Sequence, residues 1–287
     1  MGDLKVELKT DHLAPGLYVT ATPIGNARDI TLRALDVLKA ADLIVAEDTR
    51  VTAKLLAIHG ISKPLSSYND HNAAKERPRL LAKLRDGARI ALVSDAGTPL
   101  VSDPGFKLVR AAIEARHPVH AIPGASAALT GLVLSGLPSD RFLFAGFLPP
   151  KGGERQTALE ELKAVRATLI FFESGPRLAE SLQQMAQVLG PRSATVAREM
   201  TKLHEQVRRG TLEELARAYA DQPAPKGEVT LLVSPPHDTQ ADFTVIDRAL
   251  DAALAFMPLK PAAELIADLT GASRKEVYAR GLEKKNG

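Results

Sequence analysis

A chain of 287 residues is long enough for two domains of roughly 100 to 200 residues each, and the absence of cysteine excludes disulfides, thiolate nucleophiles and cysteine-ligated zinc. Lys and Arg number 37 against 34 acidic residues, a net charge of +3 that permits an anionic partner without requiring one. A hydrophobic fraction of 45%, no apolar run of membrane-spanning length, and a leader carrying Asp3, Lys5, Glu7, Lys9 and Asp11 where a signal peptide would be apolar predict a soluble, cytoplasmic protein with no membrane partner.

Residues 17–21 form a β-prone run that empties into Thr22-Pro23-Ile24-Gly25-Asn26, a loop rich in turn residues. Thr31 is placed to cap a helix ending near residue 41, with Leu32, Leu35 and Leu38 on one face. A buried strand over 43–46 ends at Glu47-Asp48-Thr49-Arg50, and this strand–helix–strand succession predicts a parallel sheet. A helix over 52–59, a short strand over 65–68, the polar tetrad Asn69-Asp70-His71-Asn72 and an amphipathic helix over 74–85 follow. Residues 89–93 form the next strand. It delivers Ser94-Asp95-Ala96-Gly97-Thr98-Pro99-Leu100-Val101-Ser102-Asp103-Pro104-Gly105, richer in Gly, Pro and Asp than a plain turn needs and located at the sheet edge where α/β proteins bind ligands. Within it, Asp103 and Pro104 have the pattern of a cap and first residue of a helix over 104–116. A strand over 119–122 empties into Pro123-Gly124-Ala125-Ser126-Ala127, whose small residues let a ligand approach the free N–H groups of the next helix.

Residues 135–140 have linker composition, dividing an N-terminal α/β domain (16–136) from a C-terminal α/β domain (141–236). In the latter, strands are predicted over 141–147, 167–172, 193–198 and 228–234, alternating with helices over 154–165, 176–189 and 211–220. The basic, glycine-containing loop 149–155 is either a solvated hairpin or a phosphate-touching surface. Two strand ends carry charge, Phe172-Glu173-Ser174 and Arg198-Glu199-Met200-Thr201-Lys202. From 241 to 287 only helical spacing remains, and its charge is split: 242–270 holds five acidic and two basic residues, 271–287 five basic and two acidic. This helical tail either contacts RNA through 274–285 or caps the second domain.

No G-x-x-x-x-G-K-[ST] and no G-x-G-x-x-G after a strand is present, which disfavours P-loop and dinucleotide-binding chemistry. Gly124-Ala125-Ser126-Ala127 lacks the closing glycine of a hydrolase elbow, and His117 and His120 have no accompanying cluster for a metal. The remaining strand-end loops, with their Gly, Pro, Ser, Thr and few carboxylates, suit a nucleoside-like cofactor held by backbone groups.

Taken together and in order, Thr22–Asn26, Ala46–Arg50, Asp70-His71-Asn72, Ser94–Pro99 with Ser102–Gly105, and Pro123–Ser126 resemble the tetrapyrrole methylase superfamily. Within it they are similar to the branch that methylates a cytidine 2′-hydroxyl in small-subunit (16S) ribosomal RNA. The resemblance implies a two-domain tetrapyrrole-methylase-like α/β fold with a small C-terminal helical appendage, S-adenosylmethionine as cofactor in the interdomain cleft, no metal, and a homodimer acting on ribosomal RNA in an assembled or nearly assembled particle. Carried over by motif, Pro23, Asp95, Gly97, Thr98, Ala125 and Ser126 line the cofactor, and Phe172, Glu173, Arg198, Glu199, Gly227 and Glu228 close over it from the second domain. Glu47, Asp48 and His71 are the candidates for handling the proton of the ribose hydroxyl, and Arg50 and Asn72 for holding the neighbouring phosphate or base. A packing network of Asp48–Arg50 or Asp70–His71 that only shapes the cleft is the competing reading. The competing functions are a tetrapyrrole or diphthine-type methyltransferase of the same superfamily and a non-catalytic RNA-binding protein.

Overall fold

The computed structural model describes residues 13–236 and 243–286; the leader over 1–12, the start of the predicted tail at 241–242 and residue 287 lie outside the described residues. The first sheet contains β1 (Gly16–Thr20), β2 (Leu43–Ala46), β3 (Leu65–Ser67), β4 (Arg89–Val93) and β5 (Val119–Ile122) in the order β3-β2-β4-β1-β5, every pair parallel as predicted. Helices α1 (Leu32–Ala40), α2 (Thr49–Ile58), α3 (Ala73–Arg85) and α4 (Phe106–Glu114) make the crossovers. The central strands β1, β2 and β4 are covered on both faces and largely apolar, with alternate residues serving two cores, whereas the edge strands β3 and β5 are only partly buried. Ile44, Ala91 and Val93 join Val37 and Leu38 on one side, while Val45, Ile90 and Leu92 join Leu80 and Leu108 on the other.

Helix α5 (Ala127–Ser135) leaves the first sheet and lies on the second, where Ala128 and Leu132 pack with Ile170, Ala197 and Leu232. A Cβ on Gly131 would lie 3.1 Å from Thr230 Cγ2 and 3.2 Å from Leu232 Cδ1, so its missing side chain is what brings the helix backbone down onto the strands.

The second sheet contains β6 (Phe142–Phe147), β7 (Thr168–Ser174), β8 (Ser193–Arg198), β9 (Gln206–Thr211) and β10 (Glu228–Val233) in the order β6-β7-β10-β8-β9. Only β6 and β7 run parallel; the other neighbours are antiparallel. The predicted simple strand–helix alternation therefore fails in this half, because β9 intervenes. As an edge strand carrying Arg208, Arg209 and Gly210 it has no apolar run to announce it. Helices α6 (Gly152–Leu162), α7 (Leu178–Leu189) and α8 (Leu212–Ala220) close the core around Phe171, Leu182, Met185, Val196 and Leu231. The hairpin reading of the 149–155 loop is corrected, since α6 already begins at Gly152, and Arg155 is no part of any surface, being fully buried between Gln184 and Glu180. An arginine in the middle of a packed helix pair looks polar in sequence because its partners are twenty-five or more residues away.

The tail forms α9 (Phe243–Leu254), α10 (Leu259–Thr270) and α11 (Arg274–Asn286) around its own core of Ile246, Leu250, Leu259, Ile266 and Val277. Its split charge is largely an internal pairing. Arg280 meets Asp247 at 2.5 Å, Lys284 meets Asp251 at 2.7 Å and Arg274 meets Glu264 at 2.7 Å. Among the described residues no helix is long and apolar enough to cross a membrane.

Candidate functional site

The strand-end loops of the first sheet are stitched into one wall. Thr22, after β1, and Gly97, after β4, exchange backbone hydrogen bonds of 2.8 and 3.1 Å, and the Thr22 hydroxyl donates to the Ser94 carbonyl. The Thr98 hydroxyl donates to the Ala125 carbonyl after β5 at 3.2 Å, and the Asp48 N–H after β2 donates to Asp95 Oδ1 at 2.9 Å. Gly97 has φ of +77°, which only glycine adopts without strain, and a Cβ there would press on Ile24 at 3.3 Å. Ser126 caps α5, accepting the Leu129 N–H.

The second sheet supplies the facing wall. Glu173, at the end of β7, is 3% exposed and accepts from the Ser181 hydroxyl at 2.6 Å and the Ser174 N–H at 2.8 Å, with Arg177 Nε at 3.4 Å. Beyond β8, Glu199 (φ 52°) and Thr201 (φ 67°) take the left-handed conformation, and Glu199 Oε1 accepts from the Glu228 N–H at 3.0 Å and from Lys202 Nζ at 2.8 Å. Although burial raises it, the Glu199 carboxyl is held below the ordinary range by Lys202 and the Glu228 N–H. Gly227 lies directly against it: with φ of +93°, a Cβ there would sit 2.2 Å from Glu199 Oε1.

Between these walls lies a cleft of about 440 Å³. Of the predicted cofactor residues, Asp95, Gly97, Thr98 and Ser126 line it from one side and Phe172, Glu173, Gly227 and Glu228 from the other. Pro23 is buried behind the wall, Ala125 serves through its carbonyl, Arg198 donates to the Lys226 carbonyl at 2.8 Å, and Glu199 braces the 227–228 turn. Of the five predicted catalytic residues only Glu47 lines the cleft. Asp48 caps α2 and binds Arg50, whose guanidinium holds its carboxyl down to about 2 while standing 86% exposed. Asn72 accepts the Asn69 N–H and donates to the Ser67 carbonyl, both at 2.9 Å, and so fastens the turn after β3; His71 is exposed.

The sequence reading missed Asp103, and misassigned it. It is not the cap of α4: the chain runs on through left-handed Leu100 (φ 74°) and Ser102 (φ 65°), and Gly105, with φ of +128°, takes the cap position without a side-chain bond. Asp103 instead lines the cleft. Burial, with a smaller contribution from Asp95, pushes its carboxyl up to about 6 against the pull of the Ser94 hydroxyl. The Glu47 carboxyl is also raised, by burial first and then by Asp103, Asp95, Asp70 and Asp48. Ile24, Met200, Val229 and Thr230 also line the cleft, with Ala96, Val101, Ser102, Ala127, Phe147 and Ser174; Val229 and Thr230 carry no sequence signal beyond lying in a strand.

Chemically, the cleft offers an anionic end without an ion-pair partner for Glu47 or Asp103 among the described residues, hydroxyl and backbone groups at Thr98, Ser126 and Thr230, the N-terminus of α5, and an apolar body of Ile24, Phe172, Met200 and Val229. A ligand that joins a cationic centre to a flat heterocycle matches that set.

Residues 16–216 match the family profile described as Tetrapyrrole (Corrin/Porphyrin) Methylases, and residues 240–285 match the one described as RsmI C-terminal HTH domain. The chain is 51% identical over 283 residues to Ribosomal RNA small subunit methyltransferase I of Mesorhizobium japonicum, covering 98% of this chain and 96% of that one. It is 45% identical over 286 residues to the Escherichia coli O157:H7 protein of the same name, covering 98% and 100%. Among solved structures, diphthine synthase superposes with a TM-score of 0.59 at 16% identity over 76% of this chain and 89% of that one. Uroporphyrin-III C-methyl transferase from Thermus thermophilus, complexed with S-adenyl homocysteine, does so with 0.53 at 19% over 76% and 96%.

Proposed function

The chain belongs to the tetrapyrrole (corrin/porphyrin) methylase family, and from that premise we propose that it is an S-adenosylmethionine-dependent methyltransferase acting on small-subunit ribosomal RNA, with the 2′-hydroxyl of a cytidine ribose as acceptor. The observation that carries the substrate is likeness to the small-subunit methyltransferases along nearly the whole chain, helical tail included. A likeness confined to the two sheets would fit a tetrapyrrole or diphthine enzyme equally well.

S-adenosylmethionine, when bound, supplies a methyl group on a sulfonium centre. The residues of the cleft fit it: Glu47, Asp95 and Asp103 would offset its positive charge, the α5 N-terminus would suit its carboxylate, and Ile24, Met200 and Val229 would give its heterocycle apolar surroundings. Glu199, locked under Gly227, keeps the second wall in place, and Glu47 orients the acceptor hydroxyl from the floor. Held on two walls tied together through α5, these groups supply alignment in place of a chance encounter.

A homodimer is the assembly this reading favours. Leu129 and Val133, one turn apart on α5, are 51% and 84% exposed, and such an apolar pair suits a partner subunit. The acceptor is presented on an assembled or nearly assembled particle in the cytoplasm, since a net charge of +3 and a tail in which Arg274, Arg280 and Lys284 are already paired internally leave little attraction for free RNA.

Calorimetry with S-adenosylhomocysteine followed by labelled methyl transfer tests the reading. Absence of binding favours a non-catalytic RNA-binding protein, and transfer to a tetrapyrrole in place of undermethylated small subunits favours the other enzyme class.

A further inference from the structure

The surface helices α1 and α8 carry both signs of charge: Arg33, Asp36 and Lys39 on α1, and Glu213 and Glu214 with Arg217 on α8. Helix α3 does not. Its 13 residues hold five cations and one acid, an excess of +4 in a chain whose whole net charge is +3. Leu80 and Leu84 pack into the core with Ile90 and Leu92, and away from them Lys75, Arg79 and Lys83 face solvent. Spaced four residues apart, these three stack in one row about 12 Å long.

Helix chemistry accounts for only part of this pattern. Lys83 and Arg85 stand in the last turn, where the helix dipole favours cations, but Lys75 is the third residue, where it favours acids. Nor are the charges used up inside the fold. Arg77 is half-buried beside Tyr68. The ion pairs of the helix, Arg79 with Glu76 at 2.9 Å and Arg85 with Asp86 at 3.5 Å, lie at the surface and are of the kind that contributes little. Lys75 and Lys83 make no ion pair among the described residues.

The row also begins beside the cleft. Asn72, just before α3, donates to the Ser67 carbonyl; the Ser67 hydroxyl donates to the Glu47 carbonyl at 3.4 Å, and the Tyr68 N–H to the Ala46 carbonyl at 2.8 Å. The turn that launches α3 is therefore fastened to the strand end that carries Glu47, and Lys75 is the end of the row nearest to it.

Resting on the ribosomal RNA acceptor proposed above, we propose that Lys75, Arg79 and Lys83 of α3 form the docking surface for the phosphodiester backbone of the small-subunit RNA beside the acceptor nucleotide. Successive turns of α3 step by about 5.4 Å, close to the step between neighbouring phosphates of a nucleic-acid strand, so a strand laid along the helix offers an anion to each cation. Such contacts carry no sequence information; they fix the register and orientation of the backbone, and so bring a ribose hydroxyl to the cleft. Among the described residues no exposed large apolar side chain lies on α3, so the face lacks the anchors of a protein-binding surface and keeps the charge of a phosphate-binding one.

The test is single-turnover methylation of undermethylated small subunits across particle concentration and between about 50 and 300 mM KCl, with calorimetry on S-adenosylhomocysteine. Lys75→Gln, Arg79→Gln and Lys83→Gln are combined in one variant. Lys39→Gln, Lys163→Gln and Arg217→Gln, at exposed positions elsewhere, make a charge-matched control. The α3 variant should bind S-adenosylhomocysteine within about twofold of wild type and keep its saturated rate within about threefold. Its half-saturating particle concentration should rise about tenfold or more, and the salt dependence should lose about two to three powers of salt concentration. The control should shift half-saturation less than about threefold, and Lys75→Arg with Lys83→Arg should behave as wild type because the charge is kept. Benzoylphenylalanine placed at position 83 should crosslink to RNA. Half-saturation of the α3 variant within about threefold of wild type, an unchanged salt dependence, a control that loses as much, or a crosslink to protein in place of RNA would each overturn the docking surface and leave the proposed function standing. A wild type that binds S-adenosylhomocysteine but never methylates small subunits would overturn the proposed function itself, and this inference with it.

Discussion

The Asp48 N–H donates to Asp95 Oδ1 at 2.9 Å, which ties the loop after β2 to the loop after β4. This separates two duties of Asp95, bracing its neighbour and presenting charge to the cleft. Asp95→Asn keeps the acceptor oxygen and removes the charge. It should weaken S-adenosylmethionine about tenfold while leaving S-adenosylhomocysteine, which lacks the sulfonium charge, within about twofold. Asp95→Ala removes both duties and should in addition cost about 1 kcal/mol of stability. Calorimetry with the two ligands and thermal melts of the two variants check the split, and equal losses for both ligands in D95N would contradict it.

Gly227 is a position where an added methyl group would collide with the carboxylate that braces the second wall of the cleft. A Cβ there meets Glu199 Oε1 at 2.2 Å on a backbone with φ of +93°, so Gly227→Ala must displace the carboxylate that holds both Lys202 and the Glu228 N–H. Affinity for S-adenosylhomocysteine should fall at least about tenfold, with a lower melting temperature. Gly153→Ala is the matched control: it lies within α6 with open space around the added Cβ, and should be neutral or stabilising by about 0.5–1 kcal/mol.

The raised Asp103 carboxyl also makes a stability prediction independent of turnover. An acid at about 6 in the folded chain and near its ordinary 3.8 when unfolded binds more protons in the native state between those values. Stability therefore falls as pH rises from about 4 to about 6, and above that window the folded protein carries the whole cost of the ionised group. Asp103→Asn removes that cost. It should raise the unfolding free energy at pH 8 by on the order of 1 kcal/mol after allowance for partial exposure, and have little effect at pH 4. Urea denaturation at the two pH values decides it; equal effects at both would contradict the assignment of the raised group.

In the tail, Arg280 bridges α11 to Asp247 of α9, while the cleft is built wholly from the two sheets and their loops. Arg280→Ala should increase proteolytic cleavage within 243–286 and leave S-adenosylhomocysteine affinity within about threefold. A parallel loss of ligand binding would mean that the tail supports the cleft.

How much of this was legible in sequence depended on range. The first sheet follows from period and punctuation, because a parallel strand covered on both faces reads as an apolar run such as Leu43–Ala46 and ends at turn residues. Loops that bind each other, as at Thr22 and Gly97, were visible only as separate suspicious stretches. Asp103 was misread because Asp-Pro is a sound local signal for a helix start, and the tertiary contacts that override it, from β6 and the neighbouring carboxylates, lie far away in sequence. β9 and Arg155 were misread for the same kind of reason: an edge strand tolerates charge, and a buried arginine is recognisable only beside its partners. The placement of Glu173, Gly227 and Glu228 against the cleft came from the family resemblance, since nothing local distinguishes them from surface charges and a turn. Asp48, Arg50, His71 and Asn72 have the opposite history. Their pattern is distinctive, yet in this structure they cap a helix, fasten a turn or face solvent outside the cleft.

The most direct test of the central claim is nucleoside analysis by mass spectrometry after incubating the protein with methyl-labelled S-adenosylmethionine and small subunits that lack the modification. The account predicts label in a 2′-O-methylated cytidine of the small-subunit RNA, approaching one methyl group per particle, with far less on naked RNA. No label in the RNA, or label on a nucleobase in place of a ribose oxygen, would contradict it.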